Sequence, residues 1–287
     1  MPKNFTAIGC LSGIPTVNLS AGCAHECVYC YTKGYSFYPS EGVVRVYRNS
    51  AQKIRDELSR KRQLPRRVYF SPSSDIFQPV TEIQEIACEI FQILLERGIE
   101  IVFLSKGVIP DALWSILEKY AYRIFAQVGL ISVNEAIRRI FEPHAATVAQ
   151  RLAQIERLNA VGIRTTVRLD PILPGVSDSS EDFDALCAEI AQRGAREIAA
   201  SVLFLRPGLL SIMRKIGIYG HRGPILSRKL RHFLTVSTLR VGWISMRKTV
   251  LPRRFQQRSV KLFLIVCVRL RVVINSPSAS VAVKIPI

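Results

Sequence analysis

The first 213 residues alternate short apolar segments with amphipathic segments of helical period, and this alternation limits the chain to a few folds. The apolar segments lack strict polar alternation, which predicts strands covered on both faces. Because predicted helices separate the predicted strands, a mostly parallel sheet is favoured over an antiparallel one. Six strands are predicted, at residues 16–20, 67–71, 99–105, 123–132, 163–173 and 196–205.

The amphipathic segments carry signals that begin and end helices. Thr81 with Gln84, and Thr147 with Gln150, each match a capping box at a helix start. Glycines that follow three of the segments predict the helix ends. Helices are predicted at residues 49–62, 82–97, 111–120 and 180–193, and from residue 147 onward.

These elements form a β(αβ)5 pattern, for which right-handed crossovers are expected. Periodicity does not decide whether the six strands lie open or close partly into a barrel. In both arrangements the loops after the strands meet at the C-terminal edge of the sheet. Functional residues are therefore expected in those loops.

Charge divides the 287-residue chain into two parts. All 22 acidic residues lie at or before Glu197, so the net charge of +18 is not evenly spread. From Arg214 onward there are 16 Lys and Arg residues and no Asp or Glu. We therefore predict a core domain over residues 1–213 and an acid-free basic tail over residues 214–287.

Two interpretations of the tail stay open. A basic arm would bind nucleic acid or another anionic surface through counterion release. Alternatively, the segment was never selected as protein, for example because the reading frame shifted, and it is then disordered. Its charges follow no helical stripe, and its apolar run at residues 262–268 is typical of an aggregation-prone segment. Function is therefore argued from residues 1–213.

Several protein classes are not expected. No apolar run reaches the length of a membrane span, and the N-terminus lacks the basic and apolar regions of a signal peptide. Seven cysteines, three of them clustered, suit a metal site in a reducing cytosol better than a disulfide framework. We expect a cytoplasmic protein without a membrane anchor.

The clustered cysteines carry the strongest chemical signal. Cys23, Cys27 and Cys30 have the spacing C-x3-C-x2-C, in the loop after the first predicted strand. Three thiolates in a short loop can hold a cuboidal iron–sulfur cluster and leave one iron open for a ligand. Two alternatives remain: a structural zinc site with His25 or Cys10 as fourth ligand, and three unliganded thiols.

The motif, with an aromatic residue before its last cysteine, resembles the signature of radical S-adenosylmethionine (SAM) enzymes. Residues 18–31 are similar to the branch that includes spore photoproduct lyase and its uncharacterised relatives. The resemblance implies a partial (β/α)6 TIM-like barrel with a [4Fe–4S] cluster on Cys23, Cys27 and Cys30. It also implies that SAM binds the open iron. One electron then cleaves SAM to methionine and a 5′-deoxyadenosyl radical, which takes hydrogen from a substrate.

The resemblance also assigns candidate SAM contacts. Ser73, Ser74 and Asp75 resemble residues that face the SAM ammonium, although a turn and helix cap would use the same residue types. Lys106 ends the third predicted strand, where the family presents a lysine to the SAM carboxylate. Ser132 ends the fourth predicted strand and is expected at the ribose.

Aromatic and polar residues inside the motif have two interpretations each. Tyr29 holds the position at which the family places an aromatic ring beside the adenine of SAM, and simple packing is the alternative. His25 and Glu26 either tune the cluster by hydrogen bonding or are polar residues of a tight loop. The sequence does not decide between these interpretations.

Four charged residues further along are also candidates for the site. Glu142 and Arg151 stand where similar residues stand in the family, and Arg168 and Asp170 interrupt an apolar strand. Charges there need partners, so Arg168 is expected to pair with Glu142 or with Asp170. The other cysteines are interpreted as packing residues: Cys10, Cys88, Cys187 and Cys267.

The resemblance has limits. Pro72 stands where the lyase carries a hydrogen-donor cysteine, so repair of the photoproduct itself is not predicted. The substrate is open, with a DNA-base lesion as the precedent in this branch, and the expected electron donor is of flavodoxin or ferredoxin type. Two other functions stay open: a nucleic-acid-binding protein with a structural cluster and basic tail, and a non-functional relative whose barrel does not close.

Overall fold

The computed structural model describes residues 14–173, 176–203, 270–273 and 282–284. Six parallel strands form its sheet in the order β1-β4-β5-β6-β7-β8, as the alternation predicts. Their bounds are β1 Thr16–Val17, β4 Arg67–Phe70, β5 Glu100–Ser105, β6 Ile124–Gly129, β7 Arg164–Ile172 and β8 Glu197–Val202.

Helices connect these strands at all the predicted places. The unpredicted elements include a helix at residues 135–141 and a small antiparallel hairpin of β2 Ser20–Ala21 with β3 Arg45–Val46. The α-helices are α1 Ser50–Arg60, α2 Thr81–Glu96, α3 Asp111–Lys119, α4 Glu135–Phe141, α5 Val148–Ala160 and α6 Ser180–Gln192, and short 3-10 helices lie at Tyr31–Gly34 and Ala121–Arg123.

The two faces of the sheet differ, which corrects the expectation of strands covered on both faces. On β4, Val68 and Phe70 are buried in the main apolar core, whereas Arg67 and Tyr69 between them are only half-buried. Burial alternates in the same way along β6, β7 and β8. Because side chains of a strand alternate between faces, one face packs on the helices and the other lines a half-open interior.

One of the two predicted capping boxes is present. Thr147 and Gln150 form the reciprocal bonds at the start of α5. The prediction for Thr81 is wrong, since α2 begins after Val80 with no side-chain cap bond. Gln84 instead donates to the carbonyl oxygen of Gln78, 2.9 Å away, because the preceding loop turns back over the helix start.

Little of the predicted tail lies within the described residues. Two short strands, β9 Leu270–Val273 and β10 Ala282–Lys284, continue the sheet antiparallel beside β8. Cys10 and Cys267 lie outside the described residues, whereas Cys187 is buried and Cys88 half-buried, as expected for packing residues. Among the helices that the structure describes, none is long and apolar enough to cross a membrane.

Candidate functional site

The three cysteines lie in a loop at residues 22–30, called here the cysteine loop, which follows β2. Cys23, Cys27 and Cys30 are half-buried and form no disulfides. Gly22 begins the loop with a φ of +83°, and a Cβ on it would lie 2.4 Å from the carbonyl oxygen of Val43. Only glycine suits this conformation and this close approach, so the loop starts at a fixed point beside the β2–β3 hairpin.

Two thiols of the cysteine loop, those of Cys23 and Cys27, lie in surroundings that favour their neutral form. Burial raises the pKa of Cys27 to about 12, although the positive charge of Lys106 opposes this effect. Burial also raises the pKa of Cys23, and the negative charge of Asp75 raises it further. Thiolates here therefore need a bound cationic group, and three thiol donors in one loop fit an iron–sulfur cluster.

Both ring nitrogens of His25 face oxygen atoms of the protein. Its Nδ1 lies 3.1 Å from the carbonyl oxygen of His144, and its Nε2 lies 3.2 Å from a carboxylate oxygen of Asp75. Within the described ranges, no three His, Cys, Asp or Glu side chains converge to hold a single metal ion. Because each cysteine of a cuboidal cluster binds a different iron, the ligands of such a cluster need not converge on one point.

Asp75 is a buried junction between three segments. One carboxylate oxygen accepts from the backbone N–H of Phe77 and from the hydroxyl of Ser105, both at 2.8 Å. The other accepts from the N–H of Lys106 at 2.7 Å and lies 3.2 Å from His25. Three protein donors therefore use most of the accepting capacity of this carboxylate, and His25 lies beside it.

The surroundings of Asp75 favour its ionised form. Burial raises the pKa of this carboxyl, but the charge and hydrogen bond of His25 and the backbone N–H groups outweigh it and bring it to about 2. The negative charge is therefore held in place by the protein itself.

Gln78 ties the same loop to the cysteine loop. Its side chain is fully buried, and its carboxamide oxygen accepts from the N–H of Ala24 at 2.8 Å. Its amide nitrogen donates to the carbonyl oxygen of Asp75 at 2.8 Å and to the hydroxyl of Ser20 at 3.1 Å. A single side chain therefore joins the cysteine loop, β2 and the loop after β4.

A second segment, residues 141–146, lies against the cysteine loop from the other side. The N–H of Val28 donates to the carbonyl oxygen of Phe141 at 2.9 Å, and the N–H of Ala146 donates to that of Lys106 at 2.9 Å. His144 reaches Glu26 with a nitrogen-to-oxygen distance of 3.3 Å. This segment therefore fixes the cysteine loop and the end of β5 relative to each other.

Glu142 and Arg151 form an ion pair that is fully buried, with 2.6 Å between the guanidinium and a carboxylate oxygen. Tyr29 donates its hydroxyl to the other oxygen of Glu142. Arg151 also donates to the carbonyl oxygens of Ala146 and Gly129, both at 2.8 Å. The expectation that Arg168 pairs with Glu142 is therefore wrong, because Arg151 occupies that carboxylate.

Lys106 has a fixed backbone and a free ammonium group. Its Nζ lies 5.7 Å from the ring centre of Tyr29, and it has no hydrogen bond or ion pair to any residue that the structure describes. Burial lowers the pKa of Lys106, but negative charge on Cys27 and Glu142 outweighs this and raises it. Gly129 makes room for the lysine stem, since a Cβ there would lie 2.8 Å from its Cγ.

The three predicted serines differ in their bonding. Ser73 donates its hydroxyl to the side chain of Asn18 at 2.8 Å. The hydroxyl oxygen of Ser74 is buried and has no hydrogen-bond partner within the described part of the chain. Ser132 lies beyond the end of β6, not in it, and its hydroxyl accepts from the N–H of Asn134 at 3.0 Å. Ser74 is therefore the serine with the most unused bonding capacity.

Polar side chains also line the half-open face of the sheet. Arg168 pairs with Asp170 along β7, as one of the two predicted pairings has it, and Asp170 accepts from the hydroxyl of Ser201 on β8. On neighbouring strands, Tyr69 donates to the side chain of Gln127 at 3.1 Å. This face could not pack an apolar core and is suited to bind a polar ligand.

Sequence reasoning missed two parts of the site. Gln78 gave no signal, because a glutamine before Pro79 is typical of a turn. The direct bond between Tyr29 and Glu142 joins residues 113 positions apart, and no local pattern predicts it. The resemblance singled out Glu142 and Arg151, but the sequence analysis offered Glu142 as a partner of Arg168 and assigned no partner to Arg151.

Comparison with known proteins gives a consistent family. A family profile described as the Radical SAM superfamily matches residues 17–187. A protein named Radical SAM Nalpha-GlyT isomerase, from Pseudomonas phage M6, is 27% identical over 170 residues, which are 58% of this chain and 35% of that protein. An uncharacterised protein of Mycobacterium tuberculosis is 27% identical over 243 residues, covering 76% of this chain and 71% of that protein.

Solved structures share the fold. A mutant of spore photoproduct lyase with bound AdoMet and dinucleoside spore photoproduct has a TM-score of 0.55 at 16% identity, covering 72% of this chain and 62% of that one. SuiB of Streptococcus suis bound to S-adenosylmethionine has a TM-score of 0.51 at 11% identity, covering 78% and 48%. These similarities confirm the predicted partial TIM-like barrel. The chain matches only about a third of the phage isomerase and less than two thirds of the lyase.

Proposed function

The chain belongs to the radical SAM superfamily, and we propose that Cys23, Cys27 and Cys30 hold the [4Fe–4S] cluster that this membership implies. The protein is a radical SAM enzyme, so its chemistry is SAM-dependent radical chemistry. When bound, the cluster supplies the electron that cleaves SAM to methionine and a 5′-deoxyadenosyl radical. The alternative of a nucleic-acid-binding protein with a purely structural cluster is not favoured by the relatives.

One observation carries the proposal. The ammonium of Lys106 lies beside the cysteine loop, with its backbone held on both sides and its charge without a partner among the described residues. Lys106 is half-buried, and a half-buried cation without a hydrogen-bonding or ionic partner among the described residues is suited to bind an anionic ligand. The carboxylate of SAM is the anion that this position would bind, and the cysteine loop is close enough for its charge to act on Lys106.

The remaining SAM contacts are proposed from residues with spare bonding capacity. Ser74 offers a buried hydroxyl for the ammonium of SAM, and Ser132 keeps its hydroxyl proton for the ribose. The ring of Tyr29, fixed through its hydroxyl by Glu142, is the proposed adenine contact. Ser73 and Asp75 are not proposed as direct contacts, because both already bond within the protein.

The substrate is proposed to bind on the half-open face of the sheet, near Arg168, Asp170 and Ser201. These side chains are partly exposed and stand at the C-terminal ends of β7 and β8, where barrel enzymes place their sites. Photoproduct repair itself is not proposed, because Pro72 stands where the lyase carries its donor cysteine. An electron donor of flavodoxin or ferredoxin type, a cytoplasmic location and contact with nucleic acid remain predictions.

The test is SAM cleavage by the anaerobically reconstituted protein. Iron, sulfide, dithionite and SAM are supplied, and 5′-deoxyadenosine is measured by chromatography. We expect the product from the wild-type chain and from a Cys88→Ala variant, and none from Cys30→Ala. A cluster that forms without SAM cleavage would favour a structural role, and the absence of any cluster would contradict the proposal.

A further inference from the structure

We infer that Asp75 and Gln78 are positioning residues that hold the cysteine loop in register with Lys106, and that neither one contacts SAM. This inference rests on the proposed function. The two side chains, with the loop that carries them, are called the bracket below. They bond to the cysteine loop at His25 and Ala24, between the first two cysteines.

The bonding of Asp75 leaves little capacity for a second task. Its two oxygens accept from donors in its own loop and at the end of β5, at 2.7–2.8 Å, and one of them lies 3.2 Å from Nε2 of His25 in the cysteine loop. An ammonium group could reach this carboxylate only by displacing one of these donors and leaving it buried without a partner. The carboxylate instead holds the cysteine loop and the backbone of Lys106 at a fixed distance from each other.

The side chain of Gln78 makes no bond to the helix that follows it. Helix α2 begins at Thr81 after Val80 without a side-chain cap, so the glutamine is not needed there. Its carboxamide is fully buried, and its oxygen and nitrogen both face the loops of the site. Because all hydrogen bonds of this buried amide go to the cysteine loop, β2 and the loop after β4, the amide fixes the positions of these segments relative to one another.

The bracket joins the elements that the proposed reaction must align. Ser74 lies next to Asp75 in the chain, and Lys106 donates its N–H to Asp75, so both proposed SAM contacts share a support with the cysteine loop. A support of this kind affects how the bound groups are oriented more than how tightly they bind. Loss of the bracket should therefore change the cluster signal and the rate of cleavage before it changes SAM affinity.

The test compares Gln78→Met with Gln154→Met. Gln154 is a matched control, because it is also a buried glutamine that clamps a loop, through the N–H of Ile109 and the carbonyl oxygen of Gly107, but it has no bond to the cysteine loop. We expect Gln78→Met to alter the electron paramagnetic resonance spectrum of the reduced cluster and to slow SAM cleavage about tenfold. Its dissociation constant for SAM should stay within about threefold of wild type.

Two further variants keep the inference open to refutation if Gln78→Met does not fold. Gln78→Glu keeps an oxygen that accepts from Ala24 but puts a second oxygen, which cannot donate, against the carbonyl oxygen of Asp75. It should therefore alter the spectrum as Gln78→Met does, and an unchanged spectrum would overturn the inference for Gln78. Asp75→Asn should weaken SAM binding less than threefold, whereas loss of a direct charged contact would weaken it more than about tenfold. The latter result would overturn the inference for Asp75.

The failure of the inference differs from the failure of the proposed function. If the wild-type chain cleaves SAM and Gln78→Met keeps the wild-type spectrum and rate, the bracket has no positioning role. If the wild-type chain binds no cluster, the proposed function itself fails. Equal spectral changes in Gln78→Met and Gln154→Met would also overturn the inference, because the effect would then be general loosening.

Discussion

Two regions beside the cysteine loop differ in how their polar side chains are bonded. In the bracket, the polar side-chain atoms of Asp75 and Gln78 form hydrogen bonds within the protein. On the other side, Lys106 and Ser74 keep an ammonium and a hydroxyl without hydrogen-bond partners among the residues that the structure describes. The contrast indicates which side chains build the site and which are left to bind a ligand.

The energetic reason is the penalty for buried polar groups. An unpaired buried donor or acceptor costs roughly 1–3 kcal/mol, so a protein retains one only where something else completes it. Residues 141–146 and Arg151 form a second support of the cysteine loop. As in the bracket, the polar groups of this support have partners within the protein, since Glu142 and Arg151 pair with each other. Substitutions in the bracket or in the pair of Glu142 and Arg151 should therefore lower the free energy of unfolding. Substitutions of Lys106 and Ser74 should instead weaken the binding of SAM.

The largest effect is expected where a support is broken. Arg151→Met leaves Glu142 buried without its cation and should lower the free energy of unfolding by about 3–5 kcal/mol. Chemical denaturation of the apoprotein measures this change. Arg157→Met on the same helix is the control, because its pair with Glu118 is exposed and worth less than about 1 kcal/mol. If both variants lost the same free energy of unfolding, the buried pair would contribute no more to stability than the exposed pair.

The next effect tests the other region. Lys106→Met should weaken SAM binding by about 10- to 100-fold, because a charged contact is lost. The free energy of unfolding should change little, since the ammonium has no internal partner in the described structure. Equilibrium dialysis with the reconstituted protein measures the affinity, and Lys119→Met at the end of α3 serves as the control. An unchanged affinity for SAM would show that Lys106 is not part of the SAM-binding site.

Acid should weaken the bracket in a defined range. The folded pKa of Asp75 is lowered to about 2, against about 3.9 in an unfolded chain. Its contribution of about 2–3 kcal/mol is therefore fully present above pH ~5 and is lost as the pH falls toward 2. The difference in unfolding free energy between wild type and Asp75→Asn should shrink over this range. Asp111→Asn is the exposed control, and at neutral pH it should change the unfolding free energy by less than about 0.5 kcal/mol.

The smallest effect contrasts two buried serines. Ser74→Ala removes a hydroxyl without a hydrogen-bond partner among the described residues, so it should leave the unfolding free energy unchanged and weaken SAM binding several-fold. Ser105→Ala removes the hydroxyl that donates to Asp75 and accepts from Gly107, so it should lose about 1 kcal/mol of stability. A stability loss in Ser74→Ala would mean that this hydroxyl has a structural partner.

Much of this arrangement could be predicted from local patterns. The spacing of Cys23, Cys27 and Cys30 and the order of strands and helices are local properties, and both placed the site at the C-terminal edge of the sheet. The pairing of Arg168 with Asp170 was also within reach, because residues two apart on a strand share a face.

Local patterns could not predict which side chains support the site and which are left to bind SAM. Ser74 and Asp75 are neighbours of similar turn-forming character, and their different roles depend on segments far away in the chain, such as His25 and Lys106. The same holds for the helix start at Thr81, where Gln84 bonds to the loop above it and not to a cap. Tertiary contacts overrode the local signal in both places.

The most direct test of the central claim is the electron paramagnetic resonance spectrum of the reconstituted, dithionite-reduced protein during titration with SAM. A cluster on three cysteines with an open iron should give a signal that SAM shifts, and Lys106→Met should need about 10- to 100-fold more SAM for the same shift. A signal that does not respond to SAM, or no cluster signal at all, would contradict the account.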